Sequence, residues 1–313
     1  MIILAAIALF LVFYLINPGF ASSGNLLSMT KALVPYAILS LGVTFVIATG
    51  GIDLSIGTVC FGSAVLAGAL CKTGVTAEEG TLWLTIPIIL SVGVIFGLIN
   101  GFLVAKCRLQ AFIATLITMT AYRGVAYIIT DGRPISRLAE SATSGDFFFK
   151  AMGKGNLLIF ETIKIPIPAL ILILAFVVVW FVLTKTTFGR RIYATGSNAK
   201  CAKLVGVDTA KIKMACYGIS GFLASLAGLL MCSRLNAAQP TFGDGYELDA
   251  IAATALGGTS MSGGRGKITG TIAGVLIIAV LNNGMNIMNI SSYYQQVVKA
   301  VVILVAVLSD RKR

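Results

Sequence analysis

Long apolar runs separated by short polar turns make up most of this chain. Taking roughly 20 apolar residues as one membrane crossing, the pattern predicts helices over 2–17, 30–49, 55–71, 82–104, 110–130, 165–184, 211–233, 268–285 and 293–309. A weaker segment over 246–260 is interrupted by glycines and reads as a short or broken helix. The fold class expected is all-α, a polytopic membrane protein of about ten transmembrane helices forming a single domain over 1–313. The apolar start, Met1 to Ile16, has no basic leader and no small-residue cleavage site, so it reads as a first span and not a signal peptide.

One polar interruption stands apart. The 185–213 segment carries seven of the 24 Lys and Arg against a single acid, Asp208, and apolar spans flank it. Positive charge near span ends resists translocation, which places this loop in the cytoplasm. Its middle, Asn198 to Gly206, reads as a short helix with Ala199, Ala202, Leu204 and Val205 available for packing. A small helix hung outside a membrane domain suits docking into a groove on a soluble partner.

Charge orders the remaining loops the same way. An even number of crossings puts both termini on one side, and Arg311, Lys312 and Arg313 make that side cytoplasmic. Lys106, Arg108, Arg265 and Lys267 then fall inside, and Glu78, Glu79, Asp131, Glu140, Asp146, Glu161 and Asp244 outside. The outer 131–164 segment is the exception, since it also holds Arg133, Arg137, Lys150, Lys154 and Lys164.

Composition adds exclusions. The chain is 57% hydrophobic and 12% charged, about half the charge of a soluble domain. Its net charge of +12 sits in loops and at the C-terminus, with no basic runs interleaved with aromatics, so nucleic acid is not an expected partner. Histidine is absent, which removes the commonest general base and metal ligand. The six cysteines are scattered without a CxxC and read as small packing residues, so no metal is expected. Gly263-Gly264-Arg265-Gly266-Lys267 fails as a phosphate loop, because Met261 stands where a glycine is needed and Ile268 where Ser or Thr is needed. No cofactor is therefore expected on this chain.

The remaining polar residues are few enough to weigh singly. Asp53, in GGIDLSIG, is the acid placed at membrane depth or at a span end; it could carry a proton, cap the following helix or hold the turn. Tyr246-Glu247-Leu248-Asp249, after AQPTFGDG, suits either the first turn of a helix or a rim that receives a partner, with Gln239 just before it. Asn282, Asn286 and Asn289 recur at i, i+4 and i+7 beside Asn283; such a face must look into the bundle or a wet cavity, for helix pairing or for a hydroxyl-rich solute. Gly93, Gly97 and Gly101, and Gly270 with Gly274, form GxxxG pairs that allow close helix approach. An internal repeat is expected from an echo: Gly50 to Gly57 (GGIDLSIG) and Gly257 to Gly264 (GGTSMSGG) share GG, Ser and the final Gly.

GGIDLSIG, QAFIATL, GYELDAIAATALGGTSMSGG, LNNG and SSYYQQVVKAVVILVAVL resemble the permease subunits of bacterial ABC importers for simple sugars. The resemblance covers nearly the whole chain, and SSYYQ makes ribose the expected cargo. It implies a non-catalytic subunit of the inner membrane, working as a pair of copies in lipid. Two partner ATPase subunits would use the ATP, and a periplasmic sugar-binding protein would deliver substrate. In that scheme Asn198, Ala199, Ala202, Leu204 and Gly206 form the ATPase-coupling segment. Asp53, Asn282, Asn283 and Asn286 are translocation or gating candidates, and Gln239, Tyr246, Glu247 and Asp249 are docking candidates for the binding protein. An ion-coupled secondary transporter using Asp53 is the alternative. A branched-chain amino-acid permease shares the overall plan, but GIDLS and GYELDAIAA speak against it.

Overall fold

The computed structural model describes residues 2–72, 82–136, 138, 144–159, 163–241 and 243–310. Glu78, Glu79, Arg137, Glu140, Glu161, Arg311, Lys312 and Arg313, which entered the charge argument, lie outside the described residues.

Every apolar run of the sequence becomes a helix. In chain order these are α1 (Ile2–Ile16), α2 (Ser23–Ala48), α3 (Ile56–Lys72), α4 (Leu82–Ala105) and α5 (Ala111–Thr130), then α6 (Ser144–Lys154) and α7 (Ile167–Lys185). The basic loop forms α8 (Thr187–Ser197) and α9 (Ala199–Leu204) and leads into α10 (Thr209–Leu235). Last come α11 (Tyr246–Leu256), α12 (Ile268–Ile287) and α13 (Ser292–Asp310). Among the described residues six of them, α2, α4, α5, α7, α10 and α12, are long and apolar enough to cross a membrane; α1 and α3 are shorter apolar helices. The segment between α5 and α7 is not a bare loop. It holds α6 and the antiparallel hairpin β2 (Asn156–Ile159) and β3 (Ile163–Pro166), while β1 (Ile135–Ser136) pairs with β4 (Ala237–Ala238).

The bundle is built around α2 and α10, whose apolar windows are each 78% buried, against 17% for α7. α10 packs on α2, α3, α4 and α6. Outward-facing side chains of the peripheral helices stay apolar, among them Leu15, Ile128, Leu174 and Val178, the surface expected where lipid replaces water. Helix approach is set by the small residues. Gly93, Gly97 and Gly101 on α4 lie against the backbone of α10 at Gly221, Tyr217 and Met214, so a Cβ on Gly97 would meet the Tyr217 carbonyl. Gly270 and Gly274 seat α12 on Gly257 and Ala253 of α11 in the same way.

The polar segments sort to two ends. At one end Gly264 N donates to Ala48 O (3.0 Å) and Tyr193 Oη to Gly266 O (3.1 Å), which joins the end of α2, α8 and the turn before α12. At the other, β1 pairs with β4, Ser233 Oγ donates to Phe149 O, and Asn25 faces Asn283. The broken segment connects these ends in two parts. After β4 the described residues of 239–245 form no helix, and α11 starts only at Tyr246, whose ring packs on Tyr36 midway along α2 (centroids 4.1 Å apart). From there α11 follows α2, Thr254 beside Ser40, down to Gly257. Its 11 residues give about 16 Å of helix, half the hydrocarbon thickness.

The two echoed glycine turns pack against one another, with Gly263 on the backbone of Gly50. Their registers differ, however. The left-handed glycine is the first of the pair in one copy (Gly50, φ 76°) and the second in the other (Gly258, φ 84°).

Candidate functional site

The basic loop is a built element with an exposed face. Thr186 caps α8, its hydroxyl accepting from Gly189 N (3.2 Å), and α8 turns Gly189, Ile192 and Thr195 inward while Arg190 and Arg191 face solvent. Asn198 ends α8 and caps α9, its side-chain oxygen accepting from Lys200 N and Cys201 N, both at 3.0 Å. At the other end Gly206 N donates to Lys203 O and Val207 N to Ala202 O, both 3.0 Å. That Schellman pattern needs a left-handed residue after the cap, and Gly206 supplies it at φ 83°. The helix is shorter than 198–206 and its apolar residues divide. Ala202 is buried against the bundle and Ala199 half-buried, whereas Leu204 and Val205 are 87% and 79% exposed. Asp208 then caps α10, accepting from Lys211 N (3.0 Å), and this bond holds its carboxyl below the ordinary carboxylate range.

The end of α8 touches the end of α2 and the second glycine turn directly: Gly196 lies on the Ala48 carbonyl and Gly264 N. Just beyond, the chain folds back into the bundle and buries Asp53. Asp53 Oδ1 accepts from Ser55 N (3.0 Å) and Ser55 Oγ (2.7 Å), and Oδ2 from Ser220 Oγ (3.3 Å) on α10. Ser55 Oγ in turn accepts from Asn100 on α4 (2.6 Å), whose Oδ1 accepts from Thr118 on α5 (2.5 Å). The carboxylate forms an Asx turn ahead of α3 and ties four elements together, with hydroxyl and amide donors as its partners.

A cavity of about 660 Å³ opens between α5, α11 and α13. Arg123 Nη2 meets Asp244 Oδ1 at 2.6 Å, and Lys299 Nζ meets Asp249 Oδ2 at 2.8 Å. Glu247 and Asp249 are 6% and 3% exposed, so neither stands on a solvent-facing rim; both are walls of this cavity. Tyr246 is half-buried on Tyr36, and Gln239 half-buried near the β4 end. Glu247 Oε2 rests against Gly57 without a hydrogen-bond partner, and only a glycine leaves room for it there.

Of the asparagines, Asn282 and Asn286 share a face of α12, one turn apart. Asn282 reaches Asp249; Asn283 makes a reciprocal amide pair with Asn25 on α2 (2.9 and 3.0 Å), which is helix pairing; Asn286 Oδ1 accepts from Gln295 Nε2 on α13 (2.9 Å). Asn289 lies past the end of α12 at φ 54°, so the i, i+7 spacing does not apply to it.

Sequence reasoning passed over Ser55, Asn100, Thr118 and Ser220, whose hydroxyls and amide carry no signal in an apolar run. It also passed over Arg123 and Lys299, which did carry one. Each is the only charged residue in its predicted span, 110–130 and 293–309.

The chain matches, over residues 25–307, the family described as branched-chain amino acid transport system / permease component. It is 46% identical over 308 residues to the ribose import permease protein RbsC of Haemophilus influenzae, covering 98% of this chain and 91% of that protein. Against the ribose import permease protein of Bacillus subtilis it is 45% identical over 299 residues, 96% of this chain and 88% of the relative. The L-arabinose transport system permease protein AraH of Escherichia coli is 35% identical over 303 residues, 97% and 87% of the two chains. No solved structure matches the chain.

Proposed function

Because the chain belongs to the branched-chain amino acid transport system / permease component family, we propose that it is the membrane-spanning subunit of a bacterial ATP-driven importer and that its cargo is ribose. The cargo follows the relatives: identity is 46% and 45% to ribose permeases and 35% to an arabinose permease, each over nearly the full chain. The observation that carries the importer reading is α9. It is a short helix capped at both ends, held outside the bundle, that offers Leu204 and Val205 to solvent beside Lys200 and Lys203. A partner ATPase that takes this knob in a groove covers the apolar pair and supplies the energy, since this chain carries no nucleotide motif.

In a bilayer the chain crosses ten times: α1 to α5, α7, α10, the Gln239–Gly245 segment with α11, α12 and α13. The end with Lys106, Arg108, the 185–213 loop, Arg265 and Lys267 faces the cytoplasm, both termini lie there, and 1–313 is one permease domain. α6 and the β2–β3 hairpin lie on the periplasmic face, where a sugar-binding protein docks with Gln239 at the mouth. The cavity walled by α5, α11 and α13 is open on one side, and a second copy of the chain completes a pathway there. Asn198, Ala199, Ala202, Leu204 and Gly206 form the coupling element. Asp53, through Ser55, Asn100 and Thr118, links the turn beside α8 to α5, and no ion coupling is assigned to it. Asn283 holds α2 to α12, and Asn282 and Asn286 sit behind the cavity.

The test is purification of the tagged chain from its native membrane in mild detergent. An ATPase is expected to come with it and to be lost when 198–206 is replaced by a Gly/Ser linker. A chain that purifies alone, under conditions that preserve known complexes, would overturn the reading.

A further inference from the structure

We propose that the end of the bundle beside α8 holds a binding site for an anionic phosphate group, that of an acidic lipid headgroup or of free phosphate. A second cavity, of about 650 Å³, opens there between the start of α1, Tyr193 on α8 and the turn that leads from α11 into α12. Its charged lining is Arg265 and Lys267, with no acid among its walls. Both side chains are exposed, and neither forms an ion pair or a hydrogen bond among the described residues.

That sets this cavity apart from the one between α5, α11 and α13, where Arg123 and Lys299 each meet a carboxylate. Two unpaired cations on one concave wall focus a positive potential into it, and such a cavity draws an anion. Orientation in the membrane explains why cations stand at this end, but not why two of them share a cavity that lacks an acid. Arg265 offers a planar fork matched to two phosphate oxygens, and Lys267 a point charge. The wall also leaves room for the group. Gly258, Gly264, Gly266 and Gly270 present bare backbone, and Gly258 and Gly264 hold φ at 84° and 75°, where a side chain is strained. α12 begins at this wall with no side chain as its cap, so the positive end of its dipole adds to the two cations that make the site.

The opposite rim is apolar. Ile2 lines the cavity, and Ile3, Leu4 and Ile7 of α1 are exposed beyond it, where hydrocarbon chains run. A headgroup seated between the cations, with its chains along α1, meets both surfaces. Basic pockets between spans on the cytoplasmic side take acidic headgroups in this way, and that placement rests on the orientation proposed above.

Native mass spectrometry of the purified full chain tests this, with palmitoyl-oleoyl phosphatidylglycerol, palmitoyl-oleoyl phosphatidylcholine and inorganic phosphate as probes. One phosphatidylglycerol per chain is expected to stay bound under conditions that strip phosphatidylcholine. Arg265→Gln with Lys267→Gln should weaken that binding roughly 30-fold, about fivefold for each charge, while the protein keeps its elution volume. Lys106→Gln with Arg108→Gln removes the same charge from exposed residues at the same end but outside the cavity, and should change binding by about twofold at most. Equal retention of the two lipids, or equal losses in the two double variants, would overturn the site. Inorganic phosphate separates the sources: lipid that stays in its presence assigns the site to a headgroup, lipid that it displaces assigns the site to the free ion, and either result upholds the phosphate chemistry. A chain that brings down its ATPase yet shows no preference between the lipids would sink this proposal and leave the importer reading standing.

Discussion

Replacing Leu204 and Val205 together with serine isolates the docking role of α9 from every structural one. Both side chains are almost wholly exposed, at 87% and 79%, so they contribute little to the fold of the free permease. Surface changes of this type move stability by about 0.5 kcal/mol or less. The Asn198 cap and the Gly206 turn are backbone features that the substitutions leave in place. On docking, the account changes. Burying an apolar side chain of this size contributes about 1.5–3 kcal/mol, so covering half of each of the two contributes about 1.5–3 kcal/mol in all. Affinity for the ATPase should therefore fall roughly 10- to 150-fold. The assay is titration of fluorescently labelled ATPase onto the permease in nanodiscs, with the thermal midpoint of the permease measured alongside. An affinity within about twofold of wild type, a change of less than 0.5 kcal/mol, would refute the assignment of α9 as the knob. A fall in affinity together with a fallen midpoint would refute the claim that the pair is structurally idle.

Three further outcomes are expected. Gly206→Ala forces a Cβ into φ 83° at a cost of about 1–2 kcal/mol and should slow ribose uptake, and Gly206→Trp should stop it while the protein still inserts; uptake by membrane vesicles, normalised to permease content, checks both. Gly97→Ala drives a methyl into the Tyr217 carbonyl at the α4–α10 crossing and should lower stability by about 1–3 kcal/mol in detergent melts, whereas Gly62→Ala, with nothing within 4 Å of the added carbon, should not. Asp208→Ala removes the cap of α10 and should speed amide exchange over 209–212. Because the Asp208 carboxyl is depressed below 3.8, the charged cap is fully present above that value and fades as pH falls through the lower folded one; Asp208→Asn should keep the cap and lose that pH dependence.

The helices were legible because the physics that makes them is local. A run such as 167–185, with no polar side chain before Thr184, can satisfy its backbone in lipid only as a helix, and α7 follows the predicted 165–184 closely. The small-residue spacings were legible for the same reason: Gly93, Gly97 and Gly101 repeat at one turn and share a face, although nothing in the sequence says that α10 lies across it. The Asn282, Asn286 and Asn289 pattern failed only at Asn289, because the rule assumes a helix that continues, and α12 stops at Ile287. The acids of 246–249 suit either a helix's first turn or a receiving rim, and Glu247 and Asp249 do open α11. Acids at a helix start are ordinary at a membrane surface, and only the depth of α11 turns them from a rim into a cavity wall.

That depth was itself half-written in the sequence. Gln239–Gly245 carries Pro240, Gly243 and Gly245 ahead of an 11-residue apolar helix, too short to cross alone. An unwound segment at membrane depth exposes N–H and C=O groups that lipid cannot satisfy, so it must lie inside protein or beside a wet cavity. Here both conditions meet: Gly243 is buried against Gly57 and Phe61, while Asp244 and Gly245 line the cavity. The same rule applies to charge. Arg123 and Lys299, each alone in an apolar span, need acids at their own depth, and the broken segment delivers them as Asp244 and Asp249. Two isolated cations in α5 and α13 together with a broken, acidic α11 thus specify a polar cavity at their junction, on grounds of solvation alone.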